Sequence, residues 1–156
     1  MTCPITPEIK KTGANAVKLE GGEELCETVK FLVDRGIPVM GHIGLLPQRI
    51  SSLGKFGVVG KSIASQRKIL NDAKVLQKAG VFALVIEAVK ENLGKKITNS
   101  LSIPTIGIGA GRYCDGQILV SDDLLGLFKK FTPKFVKKYA NLHDKVDVAI
   151  KKYALD

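Results

Sequence analysis

The chain has 156 residues, 45% apolar and 25% charged, the balance of a soluble globular protein. With 24 Lys+Arg against 15 Asp+Glu its formal net charge is +9. That length sets an expectation of one domain. It is too short for a complete eight-stranded (β/α) barrel, which takes about 250 residues and seldom fewer than about 200. No apolar run reaches the ~20 residues needed to cross a membrane. The first twenty residues lack the basic-then-apolar pattern of a secretory leader. Cys3, Cys26 and Cys114 are odd in number and show no metal-ligand spacing, so reduced thiols in a cytoplasmic protein are expected.

In chain order, short apolar runs at residues 14–19, 37–40, 82–86, 104–108 and 117–120 predict five strands. They are continuously apolar, as strands buried on both faces are. Helical spacing fills the gaps. Residues 22–35 place Leu25, Val29, Leu32 and Val33 on one face, with Gly36 as the stop. Residues 62–79 carry Ile63, Ile69, Leu70, Ala73, Leu76 and Ala79 before Gly80, and residues 91–101 carry Leu93, Ile97 and Leu101. Strand and helix in alternation, with short joints, predict βα units and a mostly parallel sheet.

The last stretch, residues 129–156, holds eight lysines against three aspartates. Thr132-Pro133 reads as an N-cap with proline in the first turn, and Phe135, Val136, Tyr139, Leu142, Val146, Ile150 and Tyr153 recur near helical spacing. A basic amphipathic helix over about 133–155 is expected, at the end of a single domain spanning 1–156. The aromatic residues of this stretch fall on the apolar face with the lysines on the other, and no recognition motif accompanies them, so no nucleic-acid partner is expected.

In parallel α/β architectures, ligands gather at the carboxyl ends of the strands. Those ends here offer Lys18 and Glu20, then His42 between Gly41 and Ile43-Gly44, then Glu87, then the glycine-rich 107–111. Lys18 and Glu20 are two apart on a strand and share a face, either as a structural ion pair or as an anion-holding cation beside a metal- or water-binding carboxylate. Glu87 emerges from an apolar run, where burial would raise its pKa and suit it to general acid–base work, unless the loop is solvated. His42 is open to a structural or a catalytic reading. His143 is given no role. Gly54 to Ser62 imitates a phosphate-binding loop, but five residues separate Gly54 from Gly60 where the pattern needs four, and no apolar strand leads into it.

Several strings occur together in order: Ala16-Val17-Lys18-Leu19-Glu20-Gly21-Gly22, Gly41-His42-Ile43-Gly44-Leu45, Pro47-Gln48 and Ala83-Leu84-Val85-Ile86-Glu87. Ile103-Pro104-Thr105-Ile106-Gly107-Ile108-Gly109-Ala110-Gly111, Asp115-Gly116-Gln117-Ile118-Leu119-Val120 and Asp123-Leu124-Leu125-Gly126 follow. The set resembles the ketopantoate hydroxymethyltransferase family over about residues 13–140. The resemblance implies an α/β fold of the TIM-type (β/α)8 class, here incomplete, with about five parallel strands, the fourth to the eighth. It implies transfer of a hydroxymethyl group from 5,10-methylenetetrahydrofolate to 3-methyl-2-oxobutanoate, in pantothenate and coenzyme A biosynthesis. Mg2+ would hold the 2-oxo acid as a Lewis acid. Carried over by position, Glu87 resembles the proton acceptor, Lys18 the substrate-binding cation, Glu20 an acidic residue of the magnesium site, and His42 a histidine close to the reacting groups.

The sequence also departs from the family pattern. The two aspartates that ligate magnesium in the family, one followed by serine, belong to its first three βα units, and no Asp-Ser pair occurs here. Leu46 stands where the family usually has threonine, and residues 55–61 differ from the usual string. The expectation is therefore a truncated or split enzyme that forms a homo-oligomer or takes a complementing amino-terminal half. The alternative is a non-catalytic remnant acting as an interaction protein.

Overall fold

The structure is a computed structural model and describes residues 11–49, 57–129 and 131–155. Five strands form one sheet: β1 (Val17–Glu20), β2 (Val39–Gly44), β3 (Ala83–Glu87), β4 (Thr105–Ile108) and β5 (Gly116–Gln117). They lie in the order β1-β2-β3-β4-β5 and every pairing is parallel. Consecutive neighbours, all parallel, are the arrangement of successive strands in a (β/α)8 barrel, here as an open five-stranded part of one. Between them run α1 (Cys26–Val33), α2 (Ile63–Ala79) and α3 (Glu91–Thr98). The alternation expected from hydrophobic spacing is therefore the alternation observed.

Register decides which side chains face the helices. Val39, Ile43, Leu84 and Ile86 alternate along β2 and β3 and join one core with Val29 and Leu32 of α1, Ile69, Ala73 and Leu76 of α2, and Leu93 and Ile97 of α3. Val29, Val39, Leu84, Ile86 and Ile97 are completely buried. At roughly 1.5–3 kcal/mol for each such side chain, burial of this layer stabilises the packing of the helices on the sheet. The pairs Glu20↔His42 and Gly44↔Glu87 put the intervening residues, Lys18, Glu20, His42 and Glu87, on the other face.

Helix boundaries follow local chemistry. Ser62 caps α2, its hydroxyl accepting from the Ser65 backbone N–H while the Ser65 hydroxyl accepts from the Ser62 N–H. The hydroxyl that a phosphate-binding reading needs is thus engaged in a capping box. Gly54, Lys55 and Phe56 of that reading lie outside the described residues.

The structure differs from the sequence expectation in the last quarter of the chain. Residues divide after Gln117 into two compact units rather than one domain. The fifth strand is Gly116–Gln117 instead of 117–120, its pairing with β4 ending at Gly107↔Gln117. In the second unit, α4 (Ser121–Leu125) is followed by α5 (Leu142–Tyr153), so the basic helix starts nine residues later than Thr132-Pro133 predicts. The intervening backbone bonds elsewhere. Tyr139 N–H donates to Leu124 O at 2.8 Å and His143 N–H to Gly126 O at 3.1 Å, in place of helical i to i−4 bonds through 133–141. Among the described residues no helix is long and apolar enough to cross a membrane.

Candidate active site

The four residues singled out from the strand ends converge. Lys18 Nζ lies 3.1 Å from Glu20 Oε1 and 3.2 Å from His42 Nδ1. His42 Nδ1 is 3.5 Å from Glu20 Oε1, and His42 Nε2 is 3.2 Å from Glu87 Oε2. A continuous line of polar groups therefore crosses β1, β2 and β3 at their carboxyl ends. The sequence could place Lys18 and Glu20 on one face, since they share a strand. Only the parallel register brings His42 level with Glu20 and Glu87 level with Gly44.

Burial along this line is uneven, and that sorts what each group can do. The Glu20 and His42 side chains are 8% and 3% exposed, Glu87 13%, and Lys18 46%. Lys18 is thus the cation open to an incoming anion, while the imidazole is sealed behind it. Burial pushes the Glu20 carboxyl up, but the Gln48 backbone N–H, which donates to Oε2 at 3.2 Å, and the Lys18 ammonium outweigh it. The net effect holds Glu20 below its ordinary value and ionised.

A lysine ammonium has only donors, so toward it His42 Nδ1 accepts, and in the neutral ring Nε2 carries the proton. Nε2 is buried and makes no hydrogen bond of good geometry, although Glu87 Oε2 is close. An imidazole N–H left short of a partner beside a carboxylate is poised to bond either that carboxylate or a ligand between them.

Backbone packing fixes Glu87. Gly44 has φ 95, and a Cβ there would stand 2.2 Å from Glu87 O, so no other residue fits opposite Glu87 without moving the backbone. Leu45 N–H donates to Glu87 O at 2.9 Å. In the structure Ala110 is fully buried, and its carbonyl oxygen lies against Gly94 of α3.

Sequence reasoning missed two residues. Asp72 of α2 is buried and accepts from the Glu23 backbone N–H at 3.0 Å and from Lys68 Nζ at 2.7 Å, tying α2 to the turn that follows Glu20. A charged residue among Ile69, Ala73 and Leu76 on a buried helix stripe was the available signal. Ala88 has φ 48, and no feature of an alanine announces a left-handed backbone.

The donor set bears on the magnesium expectation. Mg2+ takes about six oxygen ligands in near-octahedral geometry. Glu20 supplies one carboxylate, already held by an ammonium and a backbone N–H. Among the described residues no group of three His, Cys, Asp or Glu side chains is placed to hold a metal ion. These residues do not by themselves form a magnesium site.

The family model described as ketopantoate hydroxymethyltransferase matches residues 7–156. The chain belongs to that family. It is 57% identical over 143 residues to the 3-methyl-2-oxobutanoate hydroxymethyltransferase of Kosmotoga olearia, covering 92% of this chain and 54% of the relative. Identity to the protein of the same name from Rhodospirillum centenum is 56% over 148 residues, with 95% and 54% covered. For that from Syntrophus aciditrophicus it is 53% over 145 residues, with 93% and 53% covered. The chain thus spans about half the length of the curated hydroxymethyltransferases it matches.

Proposed function

We propose that this chain forms the base-bearing part of a hydroxymethyltransferase site, with a 2-oxo acid, 3-methyl-2-oxobutanoate, as substrate and 5,10-methylenetetrahydrofolate as one-carbon donor. The observation that carries the reading is the line Glu20–Lys18–His42–Glu87 across three adjacent strand ends. Lys18 is the exposed cation and pairs with the substrate carboxylate. Glu87 takes the proton from C3. The C–H bond breaks, an O–H bond forms on the carboxylate, and the electron pair passes to the enolate, whose C3 bonds the one-carbon unit; the two C–N bonds of that unit to the folate break, tetrahydrofolate leaves, and water supplies the hydroxyl oxygen. His42, with Nε2 beside Glu87, orients that carboxylate. Ionised Glu20 pairs with Lys18 and directs it into the site. Magnesium belongs to this reading as a ligand of the complete site, with its main protein ligands outside these 156 residues. They are supplied by a complementing amino-terminal half.

The test is deuterium exchange at C3 of 3-methyl-2-oxobutanoate in D2O, followed by proton NMR with and without Mg2+. The 156-residue chain is measured alone and mixed with the separately produced amino-terminal half of the Kosmotoga olearia relative. Exchange in the mixture, lost in Glu87→Gln, is the expected result. No exchange in either preparation, from a chain that melts cooperatively and binds the added half, overturns the reading in favour of a non-catalytic interaction protein.

A further inference from the structure

Ala88 follows Glu87 directly, and it is the non-glycine residue with positive φ, 48°, among the described residues. It is 3% exposed. Side chains disfavour this region because Cβ crowds the following carbonyl, and for a β-branched residue it is a true outlier. Such a conformation persists only where the surroundings determine it, and here they do so from three sides. Ala88 N–H donates to Ile108 O at 2.8 Å, Val59 N–H donates to Ala88 O at 2.8 Å, and Leu45 N–H donates to Glu87 O at 2.9 Å. At this residue the chain stops pairing with β4, and Val89 forms a parallel bridge with Val59 instead. The peptide groups on both sides of Ala88 are thus tied to β2, β4 and the 57–59 segment, while Gly44 leaves room for the Glu87 carbonyl.

We propose that Ala88 is a positioning residue, its left-handed turn setting the direction in which Glu87 presents its carboxylate to His42 Nε2. An extended residue at this position would carry the chain on along the sheet and turn the carboxylate away from the imidazole. The catalytic consequence rests on the proton-acceptor reading of Glu87. The positioning itself does not.

The chain has two histidines, His42 and His143, so a 15N-histidine-labelled sample gives two ring systems. Glu87→Gln supplies the His42 signal without the carboxylate, and His143 serves as the internal reference. In Ala88→Val, whose branched side chain is driven out of positive φ, the His42 Nε2 signal is expected to move toward its Glu87→Gln position. Ala88→Gly, which keeps positive φ freely, should restore the wild-type signal. Where wild-type C3 exchange is measurable, Ala88→Val should lower its rate at saturating substrate at least tenfold with half-saturation little changed, and Ala88→Gly should stay within about twofold. Should Ala88→Val lose its cooperative melt, Val59→Pro removes the N–H that holds Ala88 O and takes its place. A folded Ala88→Val or Val59→Pro chain with an unmoved His42 signal, or with wild-type exchange, overturns the proposal. Absence of C3 exchange in the wild type refutes the catalytic reading alone, because the His42 signal still reports the positioning.

Discussion

A Cβ built on Gly22 would lie 2.3, 2.4 and 2.6 Å from Cγ, Oδ1 and Oδ2 of Asp72. The Asp72 side chain is 8% exposed and is held by the Glu23 backbone N–H and by Lys68. Gly22→Ala therefore cannot be accommodated unless the carboxylate swings away, which breaks its bond to the Glu23 N–H. A hydrogen bond to a charged acceptor contributes about 1.5–3 kcal/mol. The Lys68 pair adds little, since that lysine is 66% exposed and its charge is screened. Gly22→Ala and Asp72→Ala are each expected to cost about 2–3 kcal/mol, and for the same reason. The double substitution should then also cost about 2–3 kcal/mol, leaving a coupling of about −2 to −3 kcal/mol where independent sites would add. Urea unfolding followed by circular dichroism measures all four corners of the cycle. In thermal melts each single variant should fall by about 5–10 °C, at roughly 2–4 °C per kcal/mol for a chain of this size. Additive costs in the double variant would refute the reasoning, because they would mean that Gly22 and Asp72 stabilise the turn separately.

Other expectations follow from the same geometry. Gly44→Ala meets the Glu87 carbonyl, a backbone atom with nowhere to move, as well as an unfavourable φ, so it should destabilise by about 3 kcal/mol or more in the same unfolding assay. Thr105 is fully buried, its hydroxyl lying 2.9 Å from both Thr98 Oγ1 and Asp115 Oδ2. Thr105→Val should therefore cost about 1–3 kcal/mol, with Thr105→Ser recovering most of it. The Thr105 backbone N–H and hydroxyl hold the Asp115 carboxyl below its ordinary value of 3.8. A depressed folded pKa gives stability that is whole above that value and is lost as pH falls through the folded one. Melts across pH 5 to 2 should thus show a steeper acid loss in the wild type than in Asp115→Asn.

Composition and hydrophobic spacing were enough for βα alternation, for α2 with its apolar stripe, and for Lys18 and Glu20 on one face. Each is a local consequence of a period of 3.6 or 2 along a single element. The strand-end rule then drew attention to His42 and Glu87, and the ordered strings gave the family to which the chain belongs. The same local reasoning failed at Thr132-Pro133, whose cap signal starts no helix because Tyr139 and His143 bond back to Leu124 and Gly126. Alternation cannot register such a competition between distant backbone groups.

Tertiary structure alone settled the distances that turn four residues into one site. Lys18 and His42, 24 apart in sequence, come within 3.2 Å because β1 and β2 pair in parallel, Glu20 level with His42. The imidazole reaches Glu87 across the next strand pair. Asp72 and Ala88 act through contacts and a backbone angle that residue type does not encode, so packing had to reveal them. Patterns that repeat within one element are written in the sequence, because the repeat is a property of that element's geometry. Proximity between elements, and the strain it sustains at Ala88, exists only once the sheet has fixed their register.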